Sequence, residues 1–238
     1  MLSGCSITML TPNRVGEYGG RVMYLDEWNR IPAISLTILG SVSQLSVTII
    51  MGTLGIVFIN SQSAIATRFE GISYFSTQLL LIVGIVTSLL LLLFFFNVGL
   101  PLKWLSQFTF GKKIARYIQY IDKVSRKQLL IILSLSFLRY LIFILQYALL
   151  LRVMNVNIEF ILSIWLISVF YYFMALVPTI GFTELPIRAT AGVLILGLFS
   201  TNVIGIHAAS FIIWCINLVV PAILGSIFIL GIKIIKPR

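Results

Sequence analysis

Of 238 residues, 59% are hydrophobic and only 10% are charged, against about 25% charged in an ordinary soluble domain. That composition excludes a water-soluble fold and implies a polytopic membrane protein. The net charge of +10 does not argue for nucleic acid, because the cations sit in loops beside apolar runs, where lipid headgroups and orientation account for them.

Residues 1–10 lack the basic start and long apolar core of a signal peptide. They read like the tail of a helix whose beginning is absent, with the expectation of a fragment, or an unusual start, of a longer membrane protein. Residues 11–32 are polar and turn-rich, and hold a first elbow: Pro12, Arg14, Gly16, Glu17 and Arg21. Residues 33–59 carry no charge and form a first span. Its Gly40, Ser41, Ser43, Gly52 and Gly55 suit close helix approach in lipid. A short loop with Arg68 and Glu70 leads to a second span at 72–96.

Residues 97–128 are the most basic stretch. Ile114, Tyr117, Ile118, Ile121 and Val124 recur at helical spacing, largely opposite Lys113, Arg116, Lys123 and Lys127, which fits an amphipathic helix lying in the membrane interface, the alternative being a solvated connector helix. A third span at 129–151 is interrupted by Arg139, with Gln146 seven residues later on the same helical face. A fourth span covers 158–177. The second elbow follows: Pro178, Gly181, Glu184, Pro186 and Arg188. Residues 189–199 are apolar but short, as a short helix or one half of a re-entrant pair. The last span is 203–232, with Asn217 near its middle and a kink expected at Pro221.

The fold expectation is all-α: a single polytopic helical domain over 1–238, with about five to six transmembrane segments, interrupted or re-entrant helices and one interfacial helix. If 189–199 crosses, fourteen Lys and Arg fall on one side, which becomes the cytoplasmic face of a multi-pass protein of the cell membrane.

Two cysteines and one histidine do not build a zinc site or a disulfide framework. There is no Asp-rich motif for another metal and no G-x-x-x-x-G-K-[ST] phosphate loop, so no cofactor is expected. Chemistry is sought instead in the two elbows. Only seven residues are acidic, and two of them stand in matched Glu-x-x-x-Arg settings. One such pair at a helix start contributes only about 0.2–0.5 kcal/mol in water. Two copies with the same Pro and Gly punctuation point to a shared polar site. Each break frees backbone groups, a helix starting after it offers N–H groups to an anion, and Arg adds a planar fork suited to phosphate. Arg139, mid-span, is expected to face inward and meet Glu17, Glu184 or a lipid phosphate. The expected substrate-binding set is Arg14, Glu17, Arg21, Arg139, Gln146, Glu184, Arg188 and Asn217, with no catalytic residue.

The same segments carry a family resemblance. Leu10-Thr11-Pro12-Asn13-Arg14-Val15-Gly16-Glu17 with Arg21 resembles the P-x-R-x-G-E segment of the lysylphosphatidylglycerol synthase transmembrane family, also called flippase-like proteins. Leu138-Arg139-Tyr140 with Gln146, Pro178 to Arg188, and Trp214-Cys215-Ile216-Asn217-Leu218 with Pro221 extend the likeness over nearly the whole chain. It implies a helical bundle that moves aminoacylated or glycosylated lipids between leaflets, with membrane phospholipid as partner. Two departures stand out: only Met1 to Leu10 precede the first elbow, and no soluble aminoacyl-transferase segment follows the last span. Two other readings compete: a membrane-embedded transferase acting on lipid-linked substrates, and a non-catalytic assembly subunit bound to a second copy or another membrane protein.

Overall fold

Long uncharged runs become long helices. The computed structural model describes residues 27–62, 65, 67–69, 74–97, 124–179 and 181–235, and every regular element among them is helical. In chain order these are α1 (Glu27–Ser61), a 3-10 turn (Thr67–Phe69), α2 (Tyr74–Phe96), α3 (Arg126–Val153), α4 (Phe160–Leu176), α5 (Gly181–Leu196), α6 (Val203–Trp214), a π turn (Cys215–Val219) and α7 (Val220–Ile235). Among the described residues, four stretches are long and apolar enough to cross a membrane: Arg30–Ser61, Gln78–Phe96, Arg126–Val153 and Val203–Ile227. Their length and composition suit a membrane protein. The first elbow and residues 98–123 of the expected interfacial helix lie outside the described residues.

Boundaries differ from expectation in three informative places. α1 starts at Glu27 and takes in Pro32, so the end of the polar stretch is helical. Pro32 is the sixth residue of α1, past the four donors that lack helical partners, so it removes one intrahelical backbone donor. α3 starts at Arg126 because Ser125 and Gln128 form a capping box. Ser125 N–H donates to Gln128 Oε1 at 2.9 Å, and Gln128 N–H to Ser125 Oγ at 3.3 Å. α3 stops through Asn155, at φ 56°. Val156 N–H reaches back to the Leu151 carbonyl at 2.9 Å and Asn155 N–H to that of Arg152 at 3.0 Å. This is the Schellman pattern, with Asn supplying the left-handed residue and buried Val156 and Leu151 its apolar contact.

The third difference is in the last span. In place of a simple kink at Pro221, the ladder widens to a π turn just before it, and Val220 N–H donates to Cys215 O, five residues back. Proline has no N–H and its ring crowds the carbonyl four residues earlier. A wider turn opens that spacing.

The chain divides into two compact units. The bundle unit comprises Ile31–Leu145 and Glu159–Ala175. In it α1 and α2 run antiparallel, Leu39 packing with Phe95 and Thr53 beside Gly84. Leu129 of α3 joins the Leu39 cluster. α4 lies antiparallel to α1: Gly52 meets Tyr172, Gly55 meets Trp165, and Phe58 stacks on Trp165 with centroids 5.1 Å apart. Glycine is required at Gly52, where a Cβ would overlap the Tyr172 side chain and approach the Ser168 carbonyl to 3.1 Å. In lipid such contacts hold helices together by van der Waals packing.

The hairpin unit takes in Gln146–Ile158 and Leu176–Arg238. Its centre is the antiparallel pair α5 and α6, joined by a tight turn at 197–202. Asn202 does two jobs there. Its Oδ1 caps α6 by accepting from Gly205 N–H at 2.9 Å, and its Nδ2 donates to the Met154 and Asn155 carbonyls at 3.0 and 3.2 Å. The α5–α6 turn is thereby fastened to the end of α3.

Candidate functional site

The second elbow is more helical than its punctuation suggests. Among the described residues Val177–Thr179 are non-helical, and α5 begins at Gly181, eight residues before the short apolar segment expected from the sequence. Glu184 sits in the first turn and Arg188 one turn later. Pro186, the sixth residue of α5, lies inside the helix and removes one backbone donor there.

Glu184 and Arg188 form an ion pair, Arg188 Nη2 to Glu184 Oε1 at 2.7 Å, with side chains only 8% and 10% exposed. Burial changes the pair's weight. In water it contributes a few tenths of a kcal/mol; away from water each charge depends on the other, and removing one partner costs about 3–5 kcal/mol. The order Glu before Arg also suits the helix dipole, which favours a carboxylate in the first turn.

The pair belongs to the inward stripe of α5: Glu184, Arg188, Ala191, Gly192, Ile195 and Leu196 are all buried, at one helical face's spacing. Further up this stripe, a Cβ on Gly192 would lie 3.1 Å from Ser210 Oγ and 3.5 Å from Tyr147 OH. Tyr147 and Ser210 share a buried hydrogen bond of 2.7 Å. It joins α3 to α6 across the glycine. Because α5 and α6 are antiparallel, moving down α5 from Gly192 to Glu184 corresponds to moving along α6 into the π turn. Glu184 and Asn217 thus come to similar heights in the unit.

The expected site residues separate as follows. Glu184 and Arg188 are in direct contact. Asn217 is half-buried in the π turn. Gln146 is half-buried in α3 beside Tyr147, near the level of Gly192 and thus about 12 Å along α5 from Glu184. Arg139 belongs to the bundle unit and is exposed, not buried, its guanidinium 5.2 Å from the Phe143 ring centre. The inward stripe of α3 is Ser136, Tyr140, Ile144, Tyr147 and Leu151, and one residue's rotation of about 100° carries Arg139 off it. Arg14, Glu17 and Arg21 lie outside the described residues.

Sequence reasoning missed Tyr147, Ser210, Gly192 and Asn202. Asn202 had a signal, a capping residue directly before an apolar run. The Tyr147–Ser210 bond spans 63 residues and had none. No cluster of His, Cys, Asp or Glu suited to a metal occurs among the described residues. Comparison with family models, curated proteins and solved structures found no match.

Proposed function

We propose that this protein moves an anionic or modified phospholipid, or a lipid-linked molecule, between the leaflets of the cell membrane, as the flippase-like resemblance implies. The observation that carries the reading is the buried Glu184–Arg188 pair, placed in the first turns of a helix that follows a proline break. A guanidinium held there by a carboxylate is suited to exchange that partner for a lipid phosphate while the acyl chains stay in the bilayer. Asn217, at similar height, is a neutral hydrogen-bonding group for the same headgroup.

Helix lengths support access to the pair from within the membrane. α4 has 17 residues and α5 has 16, about 25 Å each at 1.5 Å per residue, short of a hydrocarbon core of about 30 Å. The chain leaves α3 at Asn155 and comes back beside it at Asn202. In this reading residues 178–199 are re-entrant, with the second elbow inside the membrane. By the resemblance, Arg139, Arg14, Glu17, Arg21 and Gln146 also act in lipid binding. Transport is passive or coupled to an ion.

The test is dithionite quenching of fluorescent phospholipid in proteoliposomes. Glu184→Gln, Arg188→Gln and Arg139→Ala should each slow scrambling in protein that still elutes as a folded species. Unchanged rates in all three, from an active parent, would remove the basis for the proposal.

A further inference from the structure

The last span loses backbone donors at its own midpoint. In the Val203–Ile227 span, Val220 N–H donates to the Cys215 carbonyl, five residues back. A regular α-helix would give that N–H to Ile216. The next N–H along the chain would come from position 221, which is proline and has none. The Ile216 carbonyl therefore loses the donor four residues on to Cys215 and the donor five residues on to the proline ring. The Asn217 carbonyl loses its ordinary donor to the same proline.

A helical carbonyl points along the axis toward the residue one turn later, so that of Ile216 lies between Ile216 and Val220. Both of these side chains are exposed, and so are Ile223, Leu224 and Ile227 beyond them. All are aliphatic and bring no donor. Proline-broken membrane helices can fill such a gap with a Ser or Thr hydroxyl, but positions 219 and 220 are both valine. Asn217 follows directly, half-buried, and among the described residues its side-chain amide has no hydrogen-bond partner. The chain itself thus joins a carbonyl and an amide with unmet hydrogen bonds, one and two residues past the middle of the span. Hydrocarbon does not support such groups: backbone outside the regular ladder persists at membrane depth only against protein or against water.

We propose that the π turn lines a water-filled notch at the middle of the last span. Water donates there to the Ile216 carbonyl and exchanges hydrogen bonds with the Asn217 amide. The amide needs both donors and acceptors, and water supplies both. The notch follows from the ladder at 215–221 and does not depend on the Glu184–Arg188 pair or on lipid transport.

Cys215 reports on it, since this half-buried free thiol stands one residue before Ile216. In Cys5→Ala protein it is the single thiol. A cationic methanethiosulfonate reacts with a thiolate in water, forming a mixed disulfide and releasing methanesulfinate. The comparison is Val86→Cys in protein with both native cysteines replaced by alanine; Val86 is 50% exposed and one residue from the middle of the Gln78–Phe96 span. A charge is excluded from dry mid-membrane by about a hundredfold. In nanodiscs, followed by intact mass, Cys215 should therefore react about a hundredfold faster than Val86→Cys. Pro221→Ala returns an N–H to the turn and should slow the reaction of Cys215. A Cys215 rate less than about tenfold above that of Val86→Cys falls short of this exclusion; it overturns the notch and points to protein covering this face. An unchanged Cys215 rate in folded Pro221→Ala protein overturns it too. Leu89→Cys, 57% exposed on the same helix, is the dry reference if Val86→Cys does not fold. The comparison with α2 decides alone if Pro221→Ala does not.

Discussion

Removing one charge of the Glu184–Arg188 pair should do more harm than removing both. The contact is 2.7 Å and both side chains are at most 10% exposed. At an effective dielectric of about 20, unit charges 4 Å apart attract by about 4 kcal/mol. Glu184→Leu deletes that attraction and leaves the guanidinium buried, so it should cost about 3–5 kcal/mol of stability. Arg188→Met removes the carboxylate's guanidinium partner and should cost a similar amount. The double variant removes both desolvation penalties together with the attraction. Replacing a whole buried pair by apolar groups of like volume is often neutral or stabilising, so the double variant should be more stable than either single one. Equilibrium unfolding in mixed micelles supplies the four free energies of the cycle. Additive losses, with the double variant near the sum of the singles, would show that the two charges do not depend on each other, and the account of this site would fail.

Three further outcomes follow from the packing. Gly52→Ala should destabilise by about 1–3 kcal/mol, because the new methyl overlaps Tyr172 and overpacked sites repay little; thermal unfolding of purified protein reads this directly. Tyr147→Phe and Ser210→Ala should each cost about 0.6 kcal/mol, and at most about 1.7, the range for hydrogen bonds between membrane helices. Their double variant should cost little more than one of them, since a single bond of 2.7 Å is lost. Asn202→Ala removes a helix cap worth about 0.5–2 kcal/mol and the tie to Met154 and Asn155. Hydrogen exchange should quicken at the first turn of α6 and around Asn155 while the middle of α1 is unchanged.

Much of the helical layout was legible because lipid imposes a simple rule. Runs without charge must be helical and long, and α1, α2, α3 and α4 end within a few residues of the breaks in composition, apart from the start of α1. The start of α5 was not legible. Pro178 and Pro186 look alike in sequence, yet one lies in the break and the other inside the helix, depending only on where the first turn begins. Arg139 illustrates a second limit. Periodicity places Arg139 and Gln146 on one face, but which face turns inward is decided by the neighbours of Tyr140 and Ile144. Of the candidate site, the Glu184–Arg188 contact follows from i, i+4 spacing; its burial is a tertiary property, and so is the Tyr147–Ser210 bond.

The π turn has a consequence for the geometry of everything after it. Buried positions along the last two helices run Gly205, Ile206, Ala209, Ser210 and Ile213, then Leu218, Ala222 and Gly225. The step from Ile213 to Leu218 is one residue longer than the usual three or four. A helical wheel of uniform period drawn through both helices would divide this stripe into two. The extra residue at 215–219 restores the phase, so that α7 shows the same side as α6. Deleting one residue there would keep that side in line, at the expense of the proline's clearance; the same deletion within α1 would turn half of its buried face outward.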